Sequence, residues 1–290
     1  MSTAIIPIAT VPCIKYPGGK RGVVTELYPY WEAHKSRRLV ELFVGSASVA
    51  LGLQPESALL NDNSAIIINL HQQLQQGLSP DPSWVYDRTY YLDRRNRLNE
   101  LIQSNQIEGP EAAQIVVFLS KTGFNGLFRT SARTGFNVPF GQHKNVKFPT
   151  DFSPWQRAYK NWVFTCQDFE AVELTESDFV YSDPPYVGED TTEPEFIQES
   201  LFLETSAPRN LKRGFTQYSE KGFTWNDQVR LAKRLAQHPG PCLISNAFNP
   251  WIIRLYESLN FTIKIIEVQR SIDCKGKRPK AKEILASRNC

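Results

Sequence analysis

No apolar run in this 290-residue chain approaches the roughly 20 residues that a membrane span requires. The start, Met1 to Pro12, lacks a basic stretch and is cut by Pro7 and Pro12, so a secretory signal is not expected. Cysteine is sparse and scattered. Cys13, Cys166, Cys242, Cys274 and Cys290 form no Cys-x-x-Cys pair, and their number is odd. That argues against a zinc site and a disulfide framework, and for a reducing cytoplasm. His34, His71, His143 and His238 show no ligand spacing, so no metal is expected. The phosphate-loop spacing Gly-x-x-x-x-Gly-Lys-Ser/Thr is absent, and so is a full dinucleotide glycine fingerprint. Neither a phosphate-loop ATPase nor a nicotinamide dehydrogenase is favoured. Excess charge is small, a net +3, which by itself says little about partners. Internal repeats, low-complexity tracts and an obvious nucleophile motif are also missing.

What is present is a soluble, globular composition: 41% hydrophobic and 22% charged. The length allows one large domain or a core with a substantial insert. The most informative stretch is Asp183-Pro184-Pro185-Tyr186, directly after Asp178-Phe179-Val180-Tyr181-Ser182. The latter reads as a strand. Two prolines cannot extend a ladder, and each holds the residue before it extended. The expected result is a rigid turn at a strand's carboxyl end, where open α/β sheets bind substrates. It would offer the Asp183 carboxylate, the Pro184 carbonyl and the Tyr186 ring together. Those groups suit a flat heterocycle bearing an amine, although an ordinary proline turn would carry the same residues.

Earlier in the chain, Lys15-Tyr16-Pro17-Gly18-Gly19-Lys20 reads as a loop whose amides can approach a ligand, followed by a helix over Val23–His34. Arg38–Phe43 reads as a buried strand, Val44–Ser48 as a glycine turn, and a small-residue helix begins near Val49. Leu59–Asn63 gives a second strand ending in Asp62, 17 residues after Gly45. Strand, glycine turn, helix and acid are the opening unit of a nucleotide-binding sheet, and Asp62 suits ribose hydroxyls, although, with only one glycine, an α/β unit that binds nothing would read the same.

From residue 72 to residue 148 the strand–helix alternation breaks. Helices are expected over Tyr86–Gln103 and Glu111–Leu119, then a turn-rich hairpin over Phe124–Lys144. Basic, aromatic and apolar residues interleave there, as on a surface that reads and stacks bases, or on a plain hairpin with a solvated basic face. Strands resume at Trp162–Cys166, Cys242–Asn246, Phe261–Val268 and Glu283–Ala286, with helices at Trp225–Gln237 and Trp251–Leu259. Basic residues gather at Arg209–Arg213 and Lys275–Lys282.

In this order, Lys15–Lys20, Glu41–Gly45, Asn61–Asn63, Phe124–Gly141, Asp183–Tyr186 and Leu243–Asn246 resemble the DNA adenine-N6 methyltransferases of the Dam type over nearly the whole chain. The resemblance implies a Rossmann-like α/β catalytic domain (1–71 and 149–290). It also implies a mostly helical DNA-recognition insert (72–148) carrying a β-hairpin. It implies S-adenosylmethionine as methyl donor, held at Tyr16, Lys20, Phe43, Gly45, Asp62, Asp168 and Asp183. Asp183, Pro184, Pro185 and Tyr186 would be catalytic. The implied partner is double-stranded DNA, with GATC the expected site. Lys15, Leu127, Arg129 and Pro139 would touch bases, Asn125 a phosphate, and Phe124 and His143 would stack. A monomer is expected.

Three features depart from the family pattern. Ala47 stands where a second glycine is usual, and Phe124 and His143 where tyrosines are. The segment after Tyr186 is long, and its acids (Glu189, Asp190, Glu193, Glu195 and Glu199) should repel phosphates, so a flap is expected there. Two rival functions stay open from the residues alone: methylation of another amine such as cytosine N4, and a DNA reader without activity.

Overall fold

The computed structural model describes residues 10–131, 134–186, 223–269 and 280–290. The expected flap and the basic cluster at 209–213 lie outside the described residues. Seven strands form the main sheet: β1 (Arg38–Glu41), β2 (Ala58–Asn61), β5 (Trp162–Thr165), β6 (Asp178–Ser182), β7 (Cys242–Ala247), β8 (Thr262–Gln269) and β9 (Lys280–Arg288). β3 (Thr130–Ser131) and β4 (Gly135–Phe136) make a separate antiparallel hairpin. The helices are α1 (Val24–His34), α2 (Ser48–Leu53), α3 (Ala65–Gln75), α4 (Arg88–Gln103), α5 (Pro110–Thr122), α6 (Ser153–Ala158), α7 (Trp225–Gln237) and α8 (Pro250–Ser258).

The sheet order is β5-β2-β1-β6-β7-β9-β8. The first five strands run parallel, and β9 inserts antiparallel between β7 and β8. This is the doubly wound Rossmann-like order with one extra strand threaded near the far edge. The order reverses between β1 and β6, and open sheets of this kind bind their ligands outside the carboxyl ends of the strands at such a point. Asp183 leaves β6 there.

Both faces of the parallel centre of the sheet are covered, so β1, β2, β6 and β7 are buried almost end to end, while β8 and β9 at the far edge mix polar and apolar residues. Along the central strands, side chains alternate between two cores. Leu39, Leu60, Phe179 and Leu243 enter the core shared with α1 to α6. Val40, Leu59, Val180 and Ile244 enter the core beneath α7 and α8. The first core continues without a break into α4, α5 and the hairpin through Tyr91, Leu98, Phe118, Phe128 and Phe136. The Asn69 side chain ties α3 to the start of α5, donating to the Gly109 carbonyl and accepting from its N–H at 3.0 and 2.8 Å.

Most expected elements form within a residue or two of their expected ends. The last strand is longer than expected, nine residues instead of Glu283–Ala286. Pairing with β8 carries it through Lys280–Lys282, a polar stretch with no strand signature of its own, and pairing with both neighbours begins at Glu283. α3 and α6 were not expected. Ile66-Ile67-Ile68 is a β-branched run that resembles a strand, and α6 spans only six residues.

Candidate active site

Asp183 sits where β6 ends, and its neighbours come from three separate parts of the chain. Lys20 approaches from the glycine loop before α1, with Nζ 3.0 Å from Asp183 Oδ1. The same ammonium lies 4.4 Å from the centre of the Tyr186 ring and 3.8 Å from Glu283 Oε2. It also donates to the Gly18 carbonyl at 3.2 Å. The Tyr186 hydroxyl donates to Glu283 Oε2 at 3.0 Å. A buried cation is thus held by two carboxylates and an aromatic face, which is how a low-dielectric site keeps a positive charge.

Burial pushes the Asp183 carboxyl up to about 6, with Lys20 acting against that rise. Burial, with Asp183 and Glu283 close by, pushes the Tyr186 phenol well above its ordinary range, so its hydroxyl stays a donor. The Pro185 carbonyl accepts from Gln228 Nε2 at 2.9 Å. Gln228 in turn accepts from Asn246, whose amide also donates to Tyr256. This chain of bonds anchors the proline turn to α7, β7 and α8.

The second part of the site is the turn after β1. Gly45 has φ +48, and a Cβ there would meet the Tyr16 ring at 3.0 Å, so the aromatic can close on this backbone only because the residue is glycine. The Gly45 N–H donates to Asp62 Oδ2 at 2.9 Å, and the Ser64 N–H donates to Asp62 Oδ1 at 3.0 Å. Burial raises the Asp62 carboxyl above its ordinary value. The Gly45 carbonyl accepts from His71 Nε2 at 2.8 Å, while Tyr159 hydroxyl lies 3.2 Å from His71 Nδ1. Burial lowers His71 to about 4, so the ring is neutral. Ala47 takes the left-handed conformation, φ 57, at the position where the family pattern has glycine.

The remaining residues expected at the cofactor line the same edge. Phe43 packs at 5.6 Å against both Phe169 and Phe223. Asp168 is more exposed. It caps the turn after β5, accepting from the Glu170 N–H at 2.9 Å, and pairs with Arg230 at 3.1 Å.

The structure also gathers most of the residues expected on DNA. The Phe124 N–H donates to the Pro139 carbonyl at 2.9 Å, and Leu127 N–H to the Phe124 carbonyl at 3.1 Å. Asn125 is exposed with φ 56. The Lys15 stem lies on Gly126, where a Cβ would meet its Cδ at 2.9 Å. Arg129 is exposed, and its Nε donates to Asn137 Oδ1 at 2.9 Å. Phe124 is 46% exposed. His143 differs. Its Nε2 bonds the Gly123 carbonyl at 3.0 Å and its ring packs behind the loop on Tyr86. Among the described residues there is no group of three or more His, Cys, Asp or Glu that could hold a metal, and no helix long and apolar enough to cross a membrane.

Four contributors had not been singled out from sequence: Glu283, Gln228, His71 and Glu41 as a buried acid. Gln228 had a readable signal. It is a polar residue on the apolar stripe Trp225, Leu231, Ala232, Leu235 of α7. Glu41 is 2% exposed, burial lifts it to about 8, and its Oε1 has no hydrogen-bond partner.

The family model described as D12 class N6 adenine-specific DNA methyltransferase matches residues 16–272. A type II methyltransferase of Lactococcus lactis subsp. cremoris is 30% identical, covering 95% of this chain and 94% of its own. A DNA adenine methylase of Haemophilus influenzae is 30% identical over 95% and 92% of the two chains. One from Vibrio cholerae is 29% identical over 94% of each.

Proposed function

This chain belongs to the D12 class of N6 adenine-specific DNA methyltransferases, and from that premise we propose that it methylates the adenine of GATC in double-stranded DNA after flipping the base into the Asp183 crevice. The observation that carries the reading is the ammonium of Lys20, held by Asp183, Glu283 and the Tyr186 ring. Methylation of an exocyclic amine builds positive charge on nitrogen, and this is a place built to hold a positively charged nitrogen.

The amine lies inside the duplex, so the base must leave the stack, at a cost of a few kcal/mol. Tyr186 then stacks on it, and Lys20 withdraws from the Asp183 carboxylate. Asp183 and the Pro184 carbonyl accept the two amine hydrogens. That leaves the nitrogen lone pair free and aims it. Holding the amine in one orientation supplies much of the rate.

The residues present fit S-adenosylmethionine, the methyl donor that the family implies. Asp62 offers acceptors for a ribose diol, the Gly45 backbone is closed by Tyr16, and Phe43 borders the edge. The carboxylates of Asp62 and Asp183 at this edge favour a cationic ligand. When bound, S-adenosylmethionine supplies an electrophilic methyl group on a sulfonium.

Residues 72–148 are the DNA-reading unit of this proposal. Lys15, Leu127, Arg129 and Pro139 face bases, and Asn125 a phosphate. Phe124, being exposed, stacks, with His143 supporting the loop from behind. Arg129 reads a guanine through O6 and N7, worth about 1–3 kcal/mol of discrimination. Sequencing methylated adenines in DNA treated with wild type and Arg129→Ala tests this. Wild type should mark GATC, and the variant should lose discrimination at one guanine. Equal weakening on every sequence would make Arg129 a phosphate contact instead.

A further inference from the structure

We propose that Glu283 is a positioning residue for methyl transfer: its carboxylate holds the Tyr186 hydroxyl and thereby fixes the ring on which the flipped adenine stacks. The proposal rests on the stacking role given to Tyr186 above.

Glu283 belongs to the strand that interrupts the parallel sheet. Register places it opposite Ala247, the last residue of β7, and opposite Ile266 of β8. β7 lies between β6 and β9, so Glu283 reaches across the carboxyl end of β7 to a residue that follows β6. The side chain is 14% exposed and is followed by buried Ile284, Leu285 and Ala286. A carboxylate so placed is costly, and it stands near a second one, Asp183. It is compensated by a phenol hydrogen bond and the Lys20 ammonium.

Stacking alone uses only the face of a ring and has no need of a hydroxyl. A tyrosine held at its far end has a second fixed point, where a phenylalanine would keep its torsional freedom. The orientation of the ring sets the plane of the stacked base, and so the direction of the amine toward Asp183. When Lys20 withdraws, Glu283 still holds Tyr186. It acts through Tyr186 and does not touch the base.

The test is a double-mutant cycle with Glu283→Ala and Tyr186→Phe, measured as kcat and KM for methyl transfer to a GATC duplex. Each single variant should lower kcat about tenfold, and the pair should lose no more than either alone, because both remove one bond. KM for DNA and for S-adenosylmethionine should stay within about twofold. Glu283→Gln, whose carbonyl can still accept from the phenol, should recover most of kcat. With 2-aminopurine as the target base, Glu283→Ala should change the fluorescence of the bound complex relative to wild type, since the base no longer stacks in one orientation. If Glu283→Ala does not fold, Glu283→Met replaces it in the cycle. Losses that multiply in the double variant, or a rise in KM with kcat intact, would overturn the role of Glu283 while wild type stays active on adenine. A wild-type protein that forms no N6-methyladenine would instead sink the stacking role of Tyr186, and this inference with it.

Discussion

Burial, opposed by Lys20, sets the working pH of the Asp183 carboxylate. Burial drives the Asp183 carboxyl up to about 6, and the ammonium 3.0 Å away restrains the rise. In the proposed mechanism the ionised carboxylate accepts its amine hydrogen and stabilises the charge growing on nitrogen, so kcat/KM should fall as pH drops through about 6. That ratio reports the free enzyme, in which the contact exists. Lys20→Met removes the restraint, so the acid limb should move to higher pH; a pH profile of methyl transfer with an unmoved limb would contradict this. At this scale the sequence showed those residues whose signal is local. Asp183-Pro184-Pro185-Tyr186 is contiguous, and Asp62 ends a strand soon after a glycine turn. Glu283 meets Tyr186 from 97 positions away, and Gln228 meets Pro185 from 43. Nothing near either residue names its partner. Ala47 shows the reverse case, a departure visible in the sequence whose conformation stays that of a glycine, φ 57, at a cost of about 1–2 kcal/mol.

Among the elements, the hairpin β3–β4 depends most on a single side chain. Asn99, on α4, accepts from the Phe136 N–H at 2.7 Å and donates to the Phe136 carbonyl at 3.1 Å. Its Oδ1 lies 2.4 Å from where a Cβ on Gly135 would stand, so only glycine fits beneath it. Two paired residues per strand cannot hold a hairpin alone. Asn99→Ala leaves two backbone groups without their partner, a loss of about 1–3 kcal/mol. The hairpin carrying Arg129 and Asn137 should loosen. Discrimination between GATC and near-cognate duplexes should fall in a binding titration, with S-adenosylmethionine affinity unchanged; a weakened cofactor with intact discrimination would contradict it. Elements with a strong periodic or capping signal were legible, among them α7 with its Thr224–Asp227 capping box. β9 was legible only in its apolar part. Its polar start, Lys280–Lys282, is a strand because β8 offers it an edge, which is a property of the sheet.

At the scale of the molecule, two cores flank one sheet, and the sheet's carboxyl edge concentrates buried acids. This gives stability a definite pH dependence. Glu41 has an ordinary value of 4.5 and is pushed to about 8 in the fold. Its contribution is therefore full below 4.5 and is lost as pH rises toward about 8. His71 acts in the opposite sense, lowered from 6.5 to about 4, so its contribution is gained over that range and is constant above 6.5. Between 6.5 and 8 His71 no longer opposes Glu41, and Asp62, raised by burial, acts in the same sense as Glu41. The thermal midpoint of the cofactor-free protein should fall with pH over this window, and Glu41→Gln should flatten the fall. A slope the same in both proteins would remove Glu41 as its cause. The layered architecture could be read from the alternation of strands and helices. The continuity of one core from the sheet into α4, α5 and the hairpin could not, because it depends on which faces meet.

The most direct test is the fate of one base. A GATC duplex is incubated with S-adenosylmethionine and either wild type or Asp183→Ala, then digested, and its nucleosides are identified by mass. The wild type should yield N6-methyladenine, and the variant none while still binding the duplex. N6-methyladenine undiminished in the variant, or N4-methylcytosine from the wild type, would contradict the account.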